Sequence, residues 1–165
     1  MRTRTTLDTP LGPFTVLVGP RGVLHTRFED DEAADGSELV DDGRRDDPGI
    51  RSEVEAYFAG TLRAFTTPVD LSQVGEGFAR RVLETVRTIP YAELWTYGDV
   101  AAAAGAPRGG RAAGTALARC PIELFVPCHR VVRAGPSLGS YGRHPERRRF
   151  LLELEGALTV ASPAP

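Results

Sequence analysis

Residues 96–119 read TYGDVAAAAGAPRGGRAAGTALAR, and this stretch predicts two short helices separated by a tight turn. Thr96 followed by Asp99 has the spacing of a capping box, a pair that satisfies backbone amides where a helix begins. Gly105 suits the end of the first helix, and Pro107 suits the first position of the second. Two short helices joined in this way form a helix-turn-helix pattern.

The residues before this stretch predict a sheet and two further helices. The runs 13–19 (PFTVLVG) and 22–28 (GVLHTRF) are rich in β-formers and predict a hairpin. Apolar residues recur at helical spacing over 50–58 and again over 78–86, which predicts two amphipathic helices, the second ended by Pro90.

The residues after it alternate between extended and helical patterns. An apolar strand is expected over 122–126, directly before the sequence PCHRVV at 127–132. A glycine-rich loop follows at 134–142, and a last helix is expected to begin near Pro145. The tail 159–165 is expected to be flexible.

The distribution of charge predicts two domains. The chain of 165 residues has 20 basic residues, all of them Arg, against 22 acidic ones, and a net charge of -2 is unlike a typical nucleic-acid-binding chain. However, residues 1–75 hold 8 Arg against 14 acids, whereas residues 76–165 hold 12 Arg against 8 acids. We therefore predict a first domain over 1–75, with a solvated acidic loop at 29–49, and a second over 76–158.

Cysteine content and apolar patterning predict the compartment. Cys120 and Cys128 are too few for a disulfide framework, and no apolar run approaches the ~18 residues of a membrane span. The first residues lack the apolar core of a signal peptide. We therefore expect a cytoplasmic protein, in which a cysteine is more often chemical than structural. No metal site is expected, because the first half contains no Cys and a single His, His25. In the second half, Cys120, Cys128, His129 and His144 lack the spacing of a zinc site.

Cys128 is followed directly by His129, a pair that suits nucleophilic chemistry. A free thiol has a pKa of about 8.5 and needs a base, itself oriented by a carboxylate, to form the thiolate at neutral pH. Adjacent side chains of a strand point in opposite directions, so the pair needs a turn to converge. The alternative is a buried Cys beside a surface His with no chemical role.

Five segments occur in an order that identifies a family: IPYAELWTYGDVA (89–101), the helix with Arg111, VPCHRVV (126–132), SYG (140–142) and LLELEG (151–156). The chain resembles the O6-alkylguanine-DNA alkyltransferases, or methylated-DNA–protein-cysteine methyltransferases, from about residue 10 to residue 157. The resemblance implies an α/β (α+β) fold. In it, an N-terminal ribonuclease-H-like sheet-and-helix unit precedes a mostly helical C-terminal domain with a winged-helix-like helix-turn-helix.

The resemblance also implies an activity. The protein would repair double-stranded DNA by transferring the alkyl group of O6-alkylguanine, and of O4-alkylthymine, to Cys128 after base flipping. The product is a thioether with no carbonyl for water to attack, so each molecule would act once, as a monomer and without cofactor or metal. Two alternatives stay open: a lesion-binding relative without efficient transfer, and a thiol hydrolase with no DNA partner.

Residue roles follow from the same resemblance. Cys128 would be the nucleophile and alkyl acceptor, His129 would act as its base through a water, and Glu155 would orient the imidazole. The remaining residues would contact the base or the DNA: Tyr97, Arg111, Ala112, Gly114, Arg130, Val131 and Tyr141.

Some of these residues, together with Cys128, have specific expected roles. Tyr97 would hydrogen-bond the flipped guanine, and Arg111 would fill the gap left in the duplex. Tyr141 would form one wall of the pocket, and the carbonyls of Cys128 and Val131 would accept the exocyclic amine of the base.

The second domain has an unusual glycine content in one helix and two departures from the family pattern. The helix expected over 107–119 is rich in Gly, at a cost of roughly 1 kcal/mol each. Its small residues would serve either close approach to DNA or tight packing on a neighbouring helix.

Cys120 stands where the family usually has Asn, and Ala92 stands where Gly is commoner. Because Cys is a poor hydrogen-bonding substitute for Asn, we expect a weaker link between the recognition helix and the active-site segment.

Overall fold

The computed structural model describes residues 2–29, 46–135 and 144–158. Most of the predicted loops at 29–49 and 134–142, together with Tyr141 and the tail 159–165, lie outside these ranges. The described chain forms two compact units. The first comprises Met1–Gln73 and Pro121–Phe125, and the second comprises Val74–Cys120 and Val126–Pro165.

The first unit is built on a three-stranded antiparallel sheet whose strands, β1 (Thr3–Thr9), β2 (Gly12–Gly19) and β3 (Gly22–Phe28), pair in chain order. The predicted hairpin is confirmed as β2 (Gly12–Gly19) and β3 (Gly22–Phe28). Strand β1 (Thr3–Thr9), which is not predicted from the sequence, pairs with β2 along its whole length. Its sequence TRTTLDT is mostly polar, because only Thr5 and Leu7 face the core.

The first helix of this unit, α1 (Pro48–Phe58), is the predicted amphipathic helix. Asp47 caps it by accepting hydrogen bonds from the amides of Gly49 and Ile50 at 2.9 and 3.2 Å. The amide of Asp47 also donates to Thr5 Oγ1 at 2.8 Å, which ties the start of α1 to β1.

The strand predicted over 122–126 is wrong. Leu124 has a φ of 75°, a left-handed conformation that bends the backbone and prevents a regular ladder. The segment lies instead beside β3, where the amide of Thr26 donates to Pro121 O at 2.9 Å and its hydroxyl bonds the backbone of Glu123. Ile122, Leu124 and Phe125 are buried in the first unit, although the predicted boundary at 75/76 places them in the second domain.

The second unit is mostly helical and confirms the helix-turn-helix. Its elements are α2 (Phe78–Val86), β4 (Trp95–Thr96), α3 (Tyr97–Ala103), α4 (Gly110–Ala118), a 3₁₀ turn (Cys128–Arg130), β5 (Val131–Val132) and α5 (Pro145–Glu155). The predicted capping box is present: the amide of Asp99 donates to Thr96 Oγ1 at 3.1 Å, and the amide of Thr96 donates to Asp99 Oδ2 at 2.9 Å. β4 and β5 form a short parallel pair.

Helix α4 begins at Gly110 rather than at the predicted Pro107. The amide of Gly109 donates to Ala106 O at 2.8 Å and closes a separate turn, so the helix starts only after it. Gly109 fits this turn because a Cβ there would lie 3.0 Å from Ala106 Cβ and 3.2 Å from Phe78 Cζ.

Candidate active site

Cys128, His129 and Arg130 form the 3₁₀ turn that follows Pro127. The amide of Arg130 donates to Pro127 O at 3.0 Å, and the amide of Val131 closes the turn on Cys128 O. The three side chains therefore do not alternate as they would in a strand, and the turn that the Cys-His pair requires is present. Cys128 is buried, with 3% of its surface exposed.

His129 and Glu155 form a buried hydrogen bond. His129 Nε2 lies 2.6 Å from Glu155 Oε2, and both side chains are inaccessible to solvent. Glu155 is the last residue of α5. The structure thus brings together His129 and Glu155, which the resemblance named as base and orienting carboxylate. Of the two, His129 directly follows Cys128 in the chain.

Arg130, which the resemblance places among the residues contacting the base or the DNA, is directed into the protein. It is buried, and its Nε and Nη2 donate to Glu155 Oε1 and Oε2 at 2.8 and 3.1 Å. Its Nη1 donates to Ile89 O at 2.7 Å, and the guanidinium lies over the ring of Tyr91. A buried carboxylate requires a paired cation and hydrogen-bond donors, and Arg130 supplies both.

Ala92 also donates to the same carboxylate. Its amide lies 3.1 Å from Glu155 Oε1, and its φ of 66° is in the left-handed region. Glu155 therefore receives hydrogen bonds from His129, Arg130 and the backbone at residue 92. Ala92 is recognisable in the sequence as a departure from a commoner Gly, but its contact with Glu155, 63 residues away, was not predicted.

Ala92→Gly should stabilise the protein. A left-handed conformation costs an L-residue roughly 1–2 kcal/mol, and Gly removes that cost. The greater conformational freedom of Gly in the unfolded chain cancels about 0.5–1 kcal/mol of the resulting stabilisation. We expect the free energy of unfolding, measured by urea denaturation, to rise by up to about 1 kcal/mol. Ala102→Gly, at an exposed position of α3, is the matched control and should lower it by about 0.5–1 kcal/mol. A loss of stability in both variants would contradict the prediction.

Burial keeps the imidazole of His129 neutral. Removal from water lowers the pKa of His129 below its usual value of 6.5 and outweighs the hydrogen bond and negative charge of Glu155, which raise it. The positive charges of Arg130 and Arg148 lower the pKa further. With Nε2 donating to Glu155, the neutral ring presents Nδ1 as its basic nitrogen.

Tyr97 lies at the first position of α3, beside α4. A Cβ at Gly114 would lie 3.8 Å from the Tyr97 ring, and one at Gly110 would lie 3.9 Å from the backbone of Gly98. Arg148 Nη2 donates to the Tyr97 hydroxyl at 3.1 Å. Small residues therefore pack α4 closely against α3, which was one of the two explanations offered for its composition.

The opposite face of α4 is exposed. Ala113 and Ala116 are buried, whereas the outward residues combine two Arg with small side chains: Arg111, Ala112, Thr115, Ala118 and Arg119. Close approach of this face to DNA, the other explanation, stays a prediction.

The remaining predicted positions differ in their surroundings. Val131 is buried in β5, opposite Trp95, and Cys120 is half-buried after α4. Tyr141 lies outside the described residues.

Within the described ranges, no three His, Cys, Asp or Glu side chains cluster closely enough to hold a metal ion. Among these residues there is also no helix long and apolar enough to cross a membrane.

Two protein-family models match this chain. The model described as 6-O-methylguanine DNA methyltransferase, ribonuclease-like domain, matches residues 3–71, and the DNA binding domain of the same family matches residues 77–157. The chain therefore belongs to the 6-O-methylguanine DNA methyltransferase family, which confirms the resemblance and the predicted fold class. Membership makes it a transferase of DNA repair that acts by alkyl transfer, rather than a lesion-binding relative.

Individual relatives match over most of their length. The methylated-DNA–protein-cysteine methyltransferase of Mycobacterium tuberculosis is 40% identical over 154 residues, covering 91% of this chain and 90% of the relative. The constitutive enzyme of Bacillus subtilis is 34% identical over 156 residues, covering 92% and 93%. The crystal structure of M. tuberculosis OGT in complex with DNA superposes with a TM-score of 0.80 at 36% identity, covering 94% and 93%.

Proposed function

We propose that Cys128 is the alkyl acceptor and that the substrate is O6-alkylguanine rotated out of a DNA duplex. The observation that supports this assignment is the buried 2.6 Å hydrogen bond between His129 and Glu155, next to Cys128 in the 3₁₀ turn. A nucleophile, a neutral base and an orienting carboxylate are the parts of a catalytic triad with Cys in the place of Ser.

The chemistry then proceeds by in-line displacement. His129 takes the thiol proton through a water, and Glu155 stabilises the imidazolium that forms. The Cys128 sulfur forms a bond to the alkyl carbon, the bond from that carbon to guanine O6 breaks, and the electron pair stays on the guanine. The thioether has no electrophilic carbonyl, so one molecule performs one transfer.

The DNA side of the reaction is assigned to α3 and α4. Extrusion of a base costs a few kcal/mol, and the exposed Arg111 would fill the vacated space while Ala112 and Gly114 allow the backbone to approach. Tyr97 would hydrogen-bond the flipped base, and the carbonyls of Cys128 and Val131 would accept its exocyclic amine. Because Cys128, His129 and Glu155 come from one chain, we propose that a monomer suffices.

The test is to mix the protein with a duplex containing O6-methylguanine and to weigh it intact before and after. We expect a gain of one methyl group in exchange for one hydrogen, and peptide mapping should place it on Cys128. A methyl group on Cys120 would refute the assignment of the acceptor. Tight lesion binding without any gain in mass would refute transfer itself.

Transfer should persist below the pH at which an ordinary histidine is protonated. The pKa of His129 is lowered from 6.5, so the rate measured by single-turnover transfer should remain high as the pH falls through 6.5 and decline only below it. Below pH 6.5 the unfolded chain binds a proton that the folded chain excludes, so the free energy of unfolding should fall there. A rate already halved at pH 6.5 would contradict a depressed pKa.

A further inference from the structure

Helix α5 places two functional side chains about two turns apart. Glu155 ends the helix and holds His129, and Arg148 lies about 10 Å earlier along the axis on the same face. Arg148 is 2% exposed, and its Nη2 donates to the Tyr97 hydroxyl at 3.1 Å. One helix therefore contacts both the proposed base and the tyrosine proposed to bind the guanine.

The chemistry of this contact fixes its direction. A guanidinium is a donor and never an acceptor, so the Tyr97 oxygen must accept in the hydrogen bond with Arg148. The phenolic proton then points to a different acceptor. A purine offers ring nitrogens of that kind, so this geometry suits the Tyr97 hydroxyl to donate to a base beside it.

We propose that Arg148 is a positioning residue for the transfer reaction, acting through the Tyr97 hydroxyl. It holds this hydroxyl as a hydrogen-bond donor to the flipped guanine and strengthens that bond as negative charge develops on the base. The inference rests on the proposed function, because it requires a guanine beside Tyr97.

The hydrogen bond from Tyr97 matters because negative charge develops on the guanine during the transfer. When the sulfur–carbon bond forms and the carbon–O6 bond breaks, the electron pair remains on the guanine, and the thiol proton is on His129. A hydroxyl whose oxygen is bonded to a cation is a stronger donor than a free one. Its bond to the guanine tightens as the charge appears, so Arg148 acts on the transition state more than on binding.

A second effect of the same residue provides an independent readout. The charged groups that influence His129 are Glu155, Arg130 and Arg148, and the positive charge of Arg148 disfavours the imidazolium. Removal of that charge should raise the pKa of His129, so that the pH below which the transfer rate declines, the acid limb of the pH profile, moves toward 6.5. This shift follows from the charge alone, so it should appear in Arg148→Met but not in Arg148→Lys, and it is measured separately from the loss of rate through Tyr97.

The experiment compares Arg148→Met, which keeps the length but removes the charge and the donors, with Arg148→Lys, which keeps both. Arg149→Met is the matched control, because Arg149 is exposed on the same helix and lies 4.0 Å from Glu153. Single-turnover transfer from a duplex containing O6-methylguanine gives an amplitude, which reports the folded fraction, and a rate constant, which reports the chemistry.

We expect Arg148→Met to lower the rate constant about ten- to a hundredfold at saturating DNA, as for loss of a hydrogen bond to a charged group. The half-saturating DNA concentration should change less than the rate constant does. Arg148→Lys should restore most of the rate, and Arg149→Met should match the parent protein. In a Tyr97→Phe background, Arg148→Met should cause little further loss, because both changes remove the same bond.

Each contrary result has one meaning. If Arg148→Met lowers the amplitude alone, Arg148 is structural and the inference is wrong. Additive losses in the double variant would mean that Arg148 does not act through Tyr97. Failure of the parent protein to methylate Cys128 would instead overturn the proposed function, and that measurement is made first.

Discussion

Cys128→Ala should abolish methyl transfer completely while leaving lesion binding intact. The sulfur is the atom that would form the new bond, and no neighbouring group in the 3₁₀ turn can replace it as a nucleophile, since the side chains that follow are a histidine and a paired arginine. Intact mass measured after prolonged incubation with a duplex containing O6-methylguanine should show no gain. A gel-shift titration should still detect the complex.

Cys120→Ala is the matched control for this experiment, because Cys120 is the other thiol of the chain and is half-buried. It should retain full transfer to Cys128. Cys128→Ser separates nucleophilicity from shape, since the hydroxyl is a far weaker nucleophile in nearly the same volume, and it should react very slowly or not at all. Any methylated product in the Cys128→Ala variant would mean that the acceptor lies elsewhere.

Glu155→Gln should produce the second-largest effect, on stability and on rate together. The substitution leaves the buried cation of Arg130 without its counter-ion and offers the Arg130 and His129 donors one oxygen in place of two. Breaking a buried ion pair costs about 3–5 kcal/mol, so the free energy of unfolding measured in urea should fall by that amount. By analogy with loss of the triad carboxylate, the transfer rate should fall by a factor on the order of 10⁴.

Two further variants distinguish the two roles of Glu155. Glu153→Gln, a half-exposed carboxyl on the same helix, should change neither stability nor rate appreciably. Addition of Arg130→Met to Glu155→Gln should recover part of the lost stability, because the unpaired cation is removed, without recovering the rate. Recovery of both would show that Glu155 serves only to neutralise Arg130.

Local features of the site were predictable from sequence because they depend on neighbouring residues. The capping box of Thr96 and Asp99 is complete within one helical turn, and Cys128 and His129 are contiguous in the chain. The partnership of His129 with Glu155 is different, since 26 residues separate them and a resemblance was needed to suggest it. Spacing alone does not determine such a contact.

The role of Arg130 could not be read from the sequence for the same reason. An arginine after Cys-His resembles a surface cation, and its burial depends on a carboxylate from α5 and the carbonyl of Ile89, which lies 41 residues away. Among the described arginines of the second half, Arg147 and Arg148 are buried as well. The count of twelve basic residues therefore overstates the charge that can face DNA.

The first unit was underpredicted where its contacts are distant in sequence. Strand β1 has few apolar residues and becomes a strand because β2 offers it a partner. Ile122, Leu124 and Phe125 are apolar and buried within the first unit, and their bent backbone cannot be inferred from composition. In both cases long-range pairing overrides local pattern.

The insertion of Pro121–Phe125 into the first unit has a consequence for synthesis on the ribosome. The two family models divide the chain into consecutive stretches, whereas the folded first unit needs five residues that are translated after α4. The amide of Thr26 cannot meet Pro121 O until most of the polypeptide has emerged. Dividing the chain near residue 73 would therefore separate the first unit from Pro121–Phe125, which belong to its interior.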